Sequence, residues 1–407
     1  MTGDRSARVT FEPLNEERSV IDAIINVLEE AGVRYVLGMS GGYVAQVFAA
    51  LADHPVIRSI QVRQEAIATT MCEAYGRLTG GPIVVMGQGE WIVANAGQGV
   101  LEALLGCSPV VVLTEMSDHA ALSHHGVYQS GSADYGAWDV RGALQAVTKR
   151  VMVSHFGAQA VQHTQLAFKH ACSGEPGPVA VVYHSESLRG TVGPDSVPRI
   201  YPTAAYLPRR QRAVDESVLG RVTDALQRAQ RPVIVAGNGV RVGQARSELM
   251  ALSRAIDAPV ATTAGGKGVY PETDATAVGV IGVYGSQSAN AVVGDADVVL
   301  AVGTKLAVSD TGNAHPDLID PSRQTLIQVE VEPLNASWTY PVDHVLLGDA
   351  RYILDRLTHA CGELPVPTRS ASAVERARAV SVSTEEEIDS DEASTFPVMP
   401  HRLISLL

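Results

Sequence analysis

Cysteine is scarce in this chain and never paired in sequence. The four cysteines, Cys72, Cys107, Cys172 and Cys361, are scattered, with no Cys-x-x-Cys spacing. That excludes a sequence-evident disulfide framework or zinc knuckle and reads as reduced thiols in a cytoplasmic setting. Positive charge is also short. Lys and Arg number 31 against 44 Asp and Glu, a formal net charge of −13. A protein that grips nucleic acid or an anionic membrane carries basic patches, so neither partner is expected. No apolar run reaches the roughly 20 residues a bilayer requires. The polar start, Met1-Thr2-Gly3-Asp4-Arg5, contains no apolar signal core. Aromatics make up 5% of the residues, so any core must be built from aliphatic side chains.

What is present is a long, aliphatic, glycine-rich chain of 407 residues. That length predicts two or three domains, each able to bury its own core. Ser19 to Ala31 has helical apolar spacing and is closed by Gly32. A short strand, Val33 to Leu37, leads through Ser40-Gly41-Gly42 to a helix from Tyr43 to Ala52. The pattern then predicts strand 56–62, helix 65–78, strand 82–86, helix 95–105, strand 109–114 and strand 178–183. Short apolar strands separated by helices predict a parallel sheet covered on both faces. A Pro-bearing polar stretch, 191–212, reads as a linker. A second α/β unit follows over 213–360. It contains strands at 232–236, 259–263, 297–302 and 325–329, the turn Gly237-Asn238-Gly239, and a closing helix from Ala350. The expected fold class is α/β, with two doubly wound parallel-sheet domains, 1–190 and 213–360. From 361 to 407 Pro, Ser, Ala and Thr dominate, with an acidic run from Glu385 to Glu392. That composition predicts a flexible arm.

Several segments, taken in order, resemble the thiamine diphosphate enzymes of the acetolactate synthase and pyruvate decarboxylase type. In the first unit these are Gly32 to Gly38 with Ser40-Gly41-Gly42, Arg63-Gln64-Glu65-Ala66, Ala74 to Gly80, Ser108 to Thr114, Val147-Thr148-Lys149 and Gly177-Pro178-Val179. In the second they are Arg231 to Ile234, Gly237-Asn238-Gly239, Gly266-Lys267-Gly268, Asp297 to Gly303 and Gly348-Asp349-Ala350. The resemblance implies a pyrimidine-binding domain followed by a Rossmann-like central domain. It also implies thiamine diphosphate as cofactor and a small 2-oxo acid as substrate. The family's third domain, which grips the diphosphate through Mg2+, has no recognisable Gly-Asp-Gly motif here. Pro400-His401-Arg402-Leu403-Ile404 is similar to the opening of that domain. The expectation is therefore a split enzyme, with a second subunit holding the diphosphate and Mg2+ and with homodimerisation inside a hetero-oligomer. A truncated chain and a non-catalytic homologue are the alternatives.

Within that resemblance Glu65 is the leading catalytic candidate. A carboxyl at a strand-to-helix junction can share a proton with the cofactor's pyrimidine ring. Read without the resemblance, it is a first-turn acid favoured by the helix dipole. His124 and His125 lie in the loop after strand 109–114. They are similar to the His-His pair of the decarboxylases and could donate protons, or they are solvated loop residues. Adjacent histidines rarely point at one ion, so no metal site is expected in this chain. Gly89 and Glu90 with Asn95 also resemble the decarboxylases, whereas Tyr128-Gln129 is similar to the Phe-Gln of the synthases. Asn95 has an equally good reading as a helix N-cap. The cofactor-binding candidates are thus Glu65, Gly41, Gly42, Gly89, Glu90 and Asn95, and the catalytic candidates are Glu65, His124, His125 and Gln129. The mixture leaves decarboxylation and carboligation both open. Lys305 to Asp310 stands where FAD-binding relatives place arginines and aspartates. This argues against FAD and for a structural turn at Gly237-Asn238-Gly239. Glu330 and Glu332 read as solvated acids at a strand end. Two rival functions are a cofactor-free regulatory or binding subunit and a nucleotide-binding protein using the central domain alone.

Overall fold

The computed structural model describes residues 11–118, 129–134, 136–207, 213–364 and 368–385. The chain divides into two compact units, Met1–Arg209 and Arg210–Leu407.

The first unit is built on a six-stranded parallel sheet. A short antiparallel pair, β1 (Arg18–Ser19) with β8 (Thr191–Val192), lies outside it. The sheet strands are β2 (Tyr35–Gly38), β3 (Arg58–Gln61), β4 (Ile83–Met86), β5 (Val110–Met116), β6 (Arg150–Ser154) and β7 (Val179–His184). Their spatial order is β3-β2-β4-β5-β7-β6. Every residue of β4, β5 and β7 is buried. That is the pattern of interior strands covered by helices on both faces. Separate apolar clusters lie on the two faces. Val84, Val111 and Val181 belong to one, and Val85, Val112 and Val182 to the other. Alternate strand residues point to opposite faces, so a continuous valine run feeds both cores.

The second unit repeats the plan. Its strands are β9 (Pro232–Ala236), β10 (Val260–Thr262), β11 (Ala277–Val280), β12 (Val298–Val302), β13 (Thr325–Glu330) and β14 (His344–Leu347). They lie parallel in the order β11-β10-β9-β12-β13-β14. Both sheets are doubly wound, the fold class that the alternating pattern implies.

Local signals account for most element ends. Ser19 Oγ accepts the Asp22 N–H at 3.0 Å and starts the helix Val20–Glu30. The helix Glu65–Thr79 stops at Gly80, which is left-handed at φ 68° and returns its N–H to Gly76 O at 2.9 Å.

Three expectations need correction. The stretch 191–207 is not a free linker. Thr191 and Val192 pair with Ser19 and Arg18, Leu14 N–H donates to Ile200 O at 2.8 Å, and Thr203 is fully buried. It is anchored by backbone pairing, which leaves no hydrophobic period to read. Nor does order end at 360. The helix Ala350–Gly362 runs on, and a further helix, Ala373–Glu385, buries Ala373 and Ala377. Arg369 fixes that segment by donating to the carbonyls of Ala229 (3.0 Å), Ile256 (2.6 Å) and Leu226 (3.2 Å). These are unpaired carbonyls at helix C-termini, where a guanidinium is favoured. Glu330 is not solvated. It is buried, and its Oε1 accepts the Val331 N–H at 2.9 Å. Strands β6, β11 and β14 and the helices Gly157–Cys172 and Glu216–Arg228 have no counterpart in the sequence reading. All three strands are only partly buried, so their apolar pattern is weak.

Candidate active site

Winding order creates a crevice in the first sheet. From β2 the chain moves outward to β3, then returns to the other side of β2 for β4 and continues to β5. Connections therefore leave the carboxyl ends of β2 and β4 in opposite directions, which is where open α/β sheets bind ligands. The two strands approach closely there. A Cβ on Gly38 (φ 151°) would lie 1.7 Å from Met86 O, so only glycine fits.

Most of the sequence candidates collect at this edge. Glu65 opens the helix after β3 and is 5% exposed. Gln64 before it is extended and gives no side-chain cap, so the acid itself occupies the first turn at the positive end of the helix. Asn95 Nδ2 donates to Glu65 Oε2 at 3.0 Å. Asn95 is not an N-cap. The expected helix 95–105 starts at Gly97 and runs to Leu105, and a separate short helix, Gly89–Ala94, precedes it; Asn95 ends that first helix, its N–H bonded to Trp91 O. That break turns its amide toward Glu65.

Gly41 and Gly42 follow β2, and Gly89 and Glu90 follow β4. A Cβ on Gly41 would meet Gln88 Oε1 at 3.1 Å, and one on Gly89 would meet Glu115 O at 2.4 Å. A Cβ on Gly42 would overlap Glu115 Oε1 at 1.6 Å. Gly42 and Gly89 thus bring chain onto chain. Gln129 lies after β5, where its Oε1 accepts from Ser117 Oγ at 2.7 Å and its carbonyl from Ser117 N–H at 2.9 Å. His124, His125 and Tyr128 lie outside the described residues.

The sequence reading missed Glu115. It is 1% exposed, the sixth residue of the seven-residue strand β5. Its Oε2 accepts the backbone N–H groups of Tyr43 and, at 3.1 Å, Val44. Its Oε1 has no partner among the described residues. Burial pushes this carboxyl up to about 7, against the pull of the two N–H groups and with a further push from the charge of Glu90. Burial also raises Glu90, opposed by its own backbone N–H. Asp118 is buried as well, its Oδ2 accepting Gly131 N–H at 2.7 Å. A signal existed, since an acid inside the apolar run Val110 to Met116 must carry a reason for its burial.

The crevice edge therefore combines a buried carboxyl fixed by an amide with loops poor in side-chain bulk. That set suits a protonatable heteroaromatic ring. Among the described residues, no group of three or more His, Cys, Asp or Glu could hold a metal ion, and no helix is long and apolar enough to cross a membrane.

The second sheet has its own switch point, between β9 and β12. There a Cβ on Gly239 would lie 2.5 Å from Gly303 Cα, and one on Gly237 would lie 2.4 Å from Gly303 O. Gly266 packs equally close to Ala236 O. The glycines let neighbouring loops touch, which is a structural role for the Gly237-Asn238-Gly239 turn.

Comparison with known proteins agrees with this geometry. The family model for the thiamine pyrophosphate enzyme N-terminal TPP binding domain matches residues 18–135, and that for the central domain matches residues 219–357. A probable acetolactate synthase large subunit from Methanocaldococcus jannaschii is 27% identical over 341 residues, covering 83% of this chain and 55% of the relative. Acetolactate synthase isozyme 3 large subunit from Escherichia coli is 26% identical over 345 residues, covering 84% and 58%. An acetolactate synthase large subunit from Parasynechococcus marenigrum is 28% identical over 362 residues, covering 87% and 56%. The chain spans a little over half the length of these relatives. Two consecutive domain matches, on two doubly wound sheets in the same order, assign the chain to the thiamine pyrophosphate enzymes, with acetolactate synthase-like N-terminal and central domains.

Proposed function

We propose that the chain supplies the pyrimidine-binding and central domains of a thiamine diphosphate-dependent 2-oxo acid decarboxylase or carboligase. In this reading a second subunit carries the diphosphate-binding domain and Mg2+. The observation that carries it is Glu65, buried at the switch-point edge with Asn95 bonded to one carboxylate oxygen.

When bound, the cofactor supplies a nucleophilic carbon and an electron sink for decarboxylation. The chain's own part is to hold and move protons and to orient. Glu65 would present its carboxyl to the pyrimidine ring and exchange a proton with it, and Asn95, bonded to one carboxylate oxygen, would leave the other for that exchange. The turn at Gly41 and Gly42 and the helix start at Gly89 and Glu90 would hold the ring. Gln129, tied to Ser117, would orient the substrate, and His124 and His125, which precede it in sequence, would donate protons. The names of the relatives favour carboligation.

The test uses the chain together with a candidate partner bearing a diphosphate-binding domain. Titration calorimetry with thiamine diphosphate and Mg2+ should show binding only when both polypeptides are present. Glu65→Gln should lower turnover of a 2-oxo acid by about 10²- to 10⁴-fold, the range of positioned acid–base groups, with an unchanged circular dichroism spectrum. Wild-type turnover from that variant removes the role of Glu65. Binding and turnover by the chain alone remove the split arrangement.

A further inference from the structure

Glu115 is a buried acid that the proposed cofactor role leaves unexplained. It lies on an interior strand, its carboxylate occupies the space a side chain at Gly42 would need, and one of its oxygens has no partner among the described residues. A single oxygen carries the backbone N–H groups of Tyr43 and Val44, which belong to the turn that walls the crevice. A second acid, Glu90, stands in the first turn of the helix Gly89–Ala94 that follows β4, with both carboxylate oxygens buried.

We propose that Glu115 is a positioning residue for the Gly41–Val44 turn, and that its own protonation state sets how firmly the turn is held. This goes beyond the cofactor role of Glu65 and does not depend on it.

A buried carboxyl with one unpartnered oxygen among the described residues is costly to ionise, so it holds its proton longer than a solvated acid does, and the charge of Glu90 adds to that cost. The groups facing Glu115 are few. From the turn come the N–H groups of Tyr43 and Val44. From the first turn of the helix Gly89–Ala94 comes Glu90, the one charge that acts on it. Its register partner on β7 is Tyr183, fully buried with its hydroxyl 2.7 Å from Thr164 Oγ1 and held neutral by burial. No cation acts on Glu115 among these contacts. When Glu115 loses its proton it becomes a full anion, and its hydrogen bonds to the turn become charge-assisted and roughly twice as strong. When it holds the proton, the turn hangs on a neutral carboxyl.

The experiment is a pH titration of the full chain by NMR, with glutamate side chains labelled at the carboxyl carbon and the amides of Tyr43 and Val44 followed in parallel. One glutamate carboxyl should titrate near neutrality, and both amide shifts should track the same midpoint. In Glu115→Gln that carboxyl signal should vanish and the two amides should become flat with pH. In Glu90→Gln the midpoint should move down. The proposal is overturned if no glutamate titrates above pH 6, if Glu90→Gln leaves the midpoint in place, or if the amides keep their titration without Glu115. Because the readout needs neither cofactor nor turnover, its failure is separable from failure of the proposed function.

Discussion

Asn95 Nδ2 donates to Glu65 Oε2 at 3.0 Å, joining a residue at the end of one short helix to the first residue of another, 30 positions apart. The bond depends on the helix break at Asn95 and Ala96. Asn95→Ala leaves a buried carboxylate without its amide donor. The expected loss is about 1–3 kcal/mol of stability, measured by urea denaturation. Asn95→Asp should cost more than Asn95→Ala, because it sets a second acid against Glu65. Equal stability of all three chains would dissociate Asn95 from Glu65.

The pH dependence of stability should carry the signature of Glu115. Its carboxyl moves from 4.5 to about 7 in the folded chain. Between those values the folded protein holds a proton that the unfolded chain has released. Stability therefore falls as pH rises, by about 1.4 kcal/mol per unit from this group. Above 7 both forms are ionised and this contribution to the slope vanishes. Denaturation midpoints from about pH 5 to 8 should show the decline in the wild type and a flatter curve in Glu115→Gln. A wild-type curve that rises over this interval, with no difference from the variant, would contradict the assignment.

Gly42 should resist any side chain. It sits at φ 55°, and a Cβ would overlap the Glu115 carboxylate. Gly42→Ala should cost about 1–3 kcal/mol from backbone strain alone, with the clash in addition. In the double variant Gly42→Ala/Glu115→Ala only the clash is relieved. The cycle should therefore show favourable coupling between the two substitutions. Simple additivity would mean that the carboxylate does not fill that space.

Arg369 holds three helix-end carbonyls, those of Leu226, Ala229 and Ile256. Arg369→Met keeps much of the stem packing and removes all three bonds. The expected cost is about 2 kcal/mol or more, from hydrogen bonds to a charged donor. Limited proteolysis should cut the chain around 370 faster than in the wild type. Unchanged cleavage there would show that the buried Ala373 and Ala377, with Arg376 bonded to Pro232 O and the Ala373 N–H to Asp257, keep the helix in place without Arg369.

The legible part of this protein is the part written in apolar runs. Val110 to Leu113, Val179 to Val182, Val233 to Val235 and Val298 to Val302 are fully buried strands. A strand covered on both faces has no polar face, and such runs separated by helices leave little besides a doubly wound parallel sheet. Glu65 stood out because Arg63-Gln64-Glu65-Ala66 resembles the glutamate motif of the thiamine diphosphate enzymes; its strand-to-helix junction alone reads as a first-turn acid. Edge strand Arg150–Ser154, with four of its five residues short of full burial, was not.

The sequence by itself determined the two α/β units, their parallel strands and the acid at the head of the helix Glu65–Thr79. The tertiary structure alone decided which groups meet at the crevice. It placed an unexpected short helix, Gly89–Ala94, before the helix Gly97–Leu105 and so brought Asn95 to Glu65, and it folded the glycine turn over Glu115. It also anchored 191–207 and 368–385 through backbone pairs and an arginine. The reason is physical. Hydrophobic periodicity reports burial within one element, whereas hydrogen bonds form between residues far apart in the chain, and only the order of strands in the sheet brings those residues together.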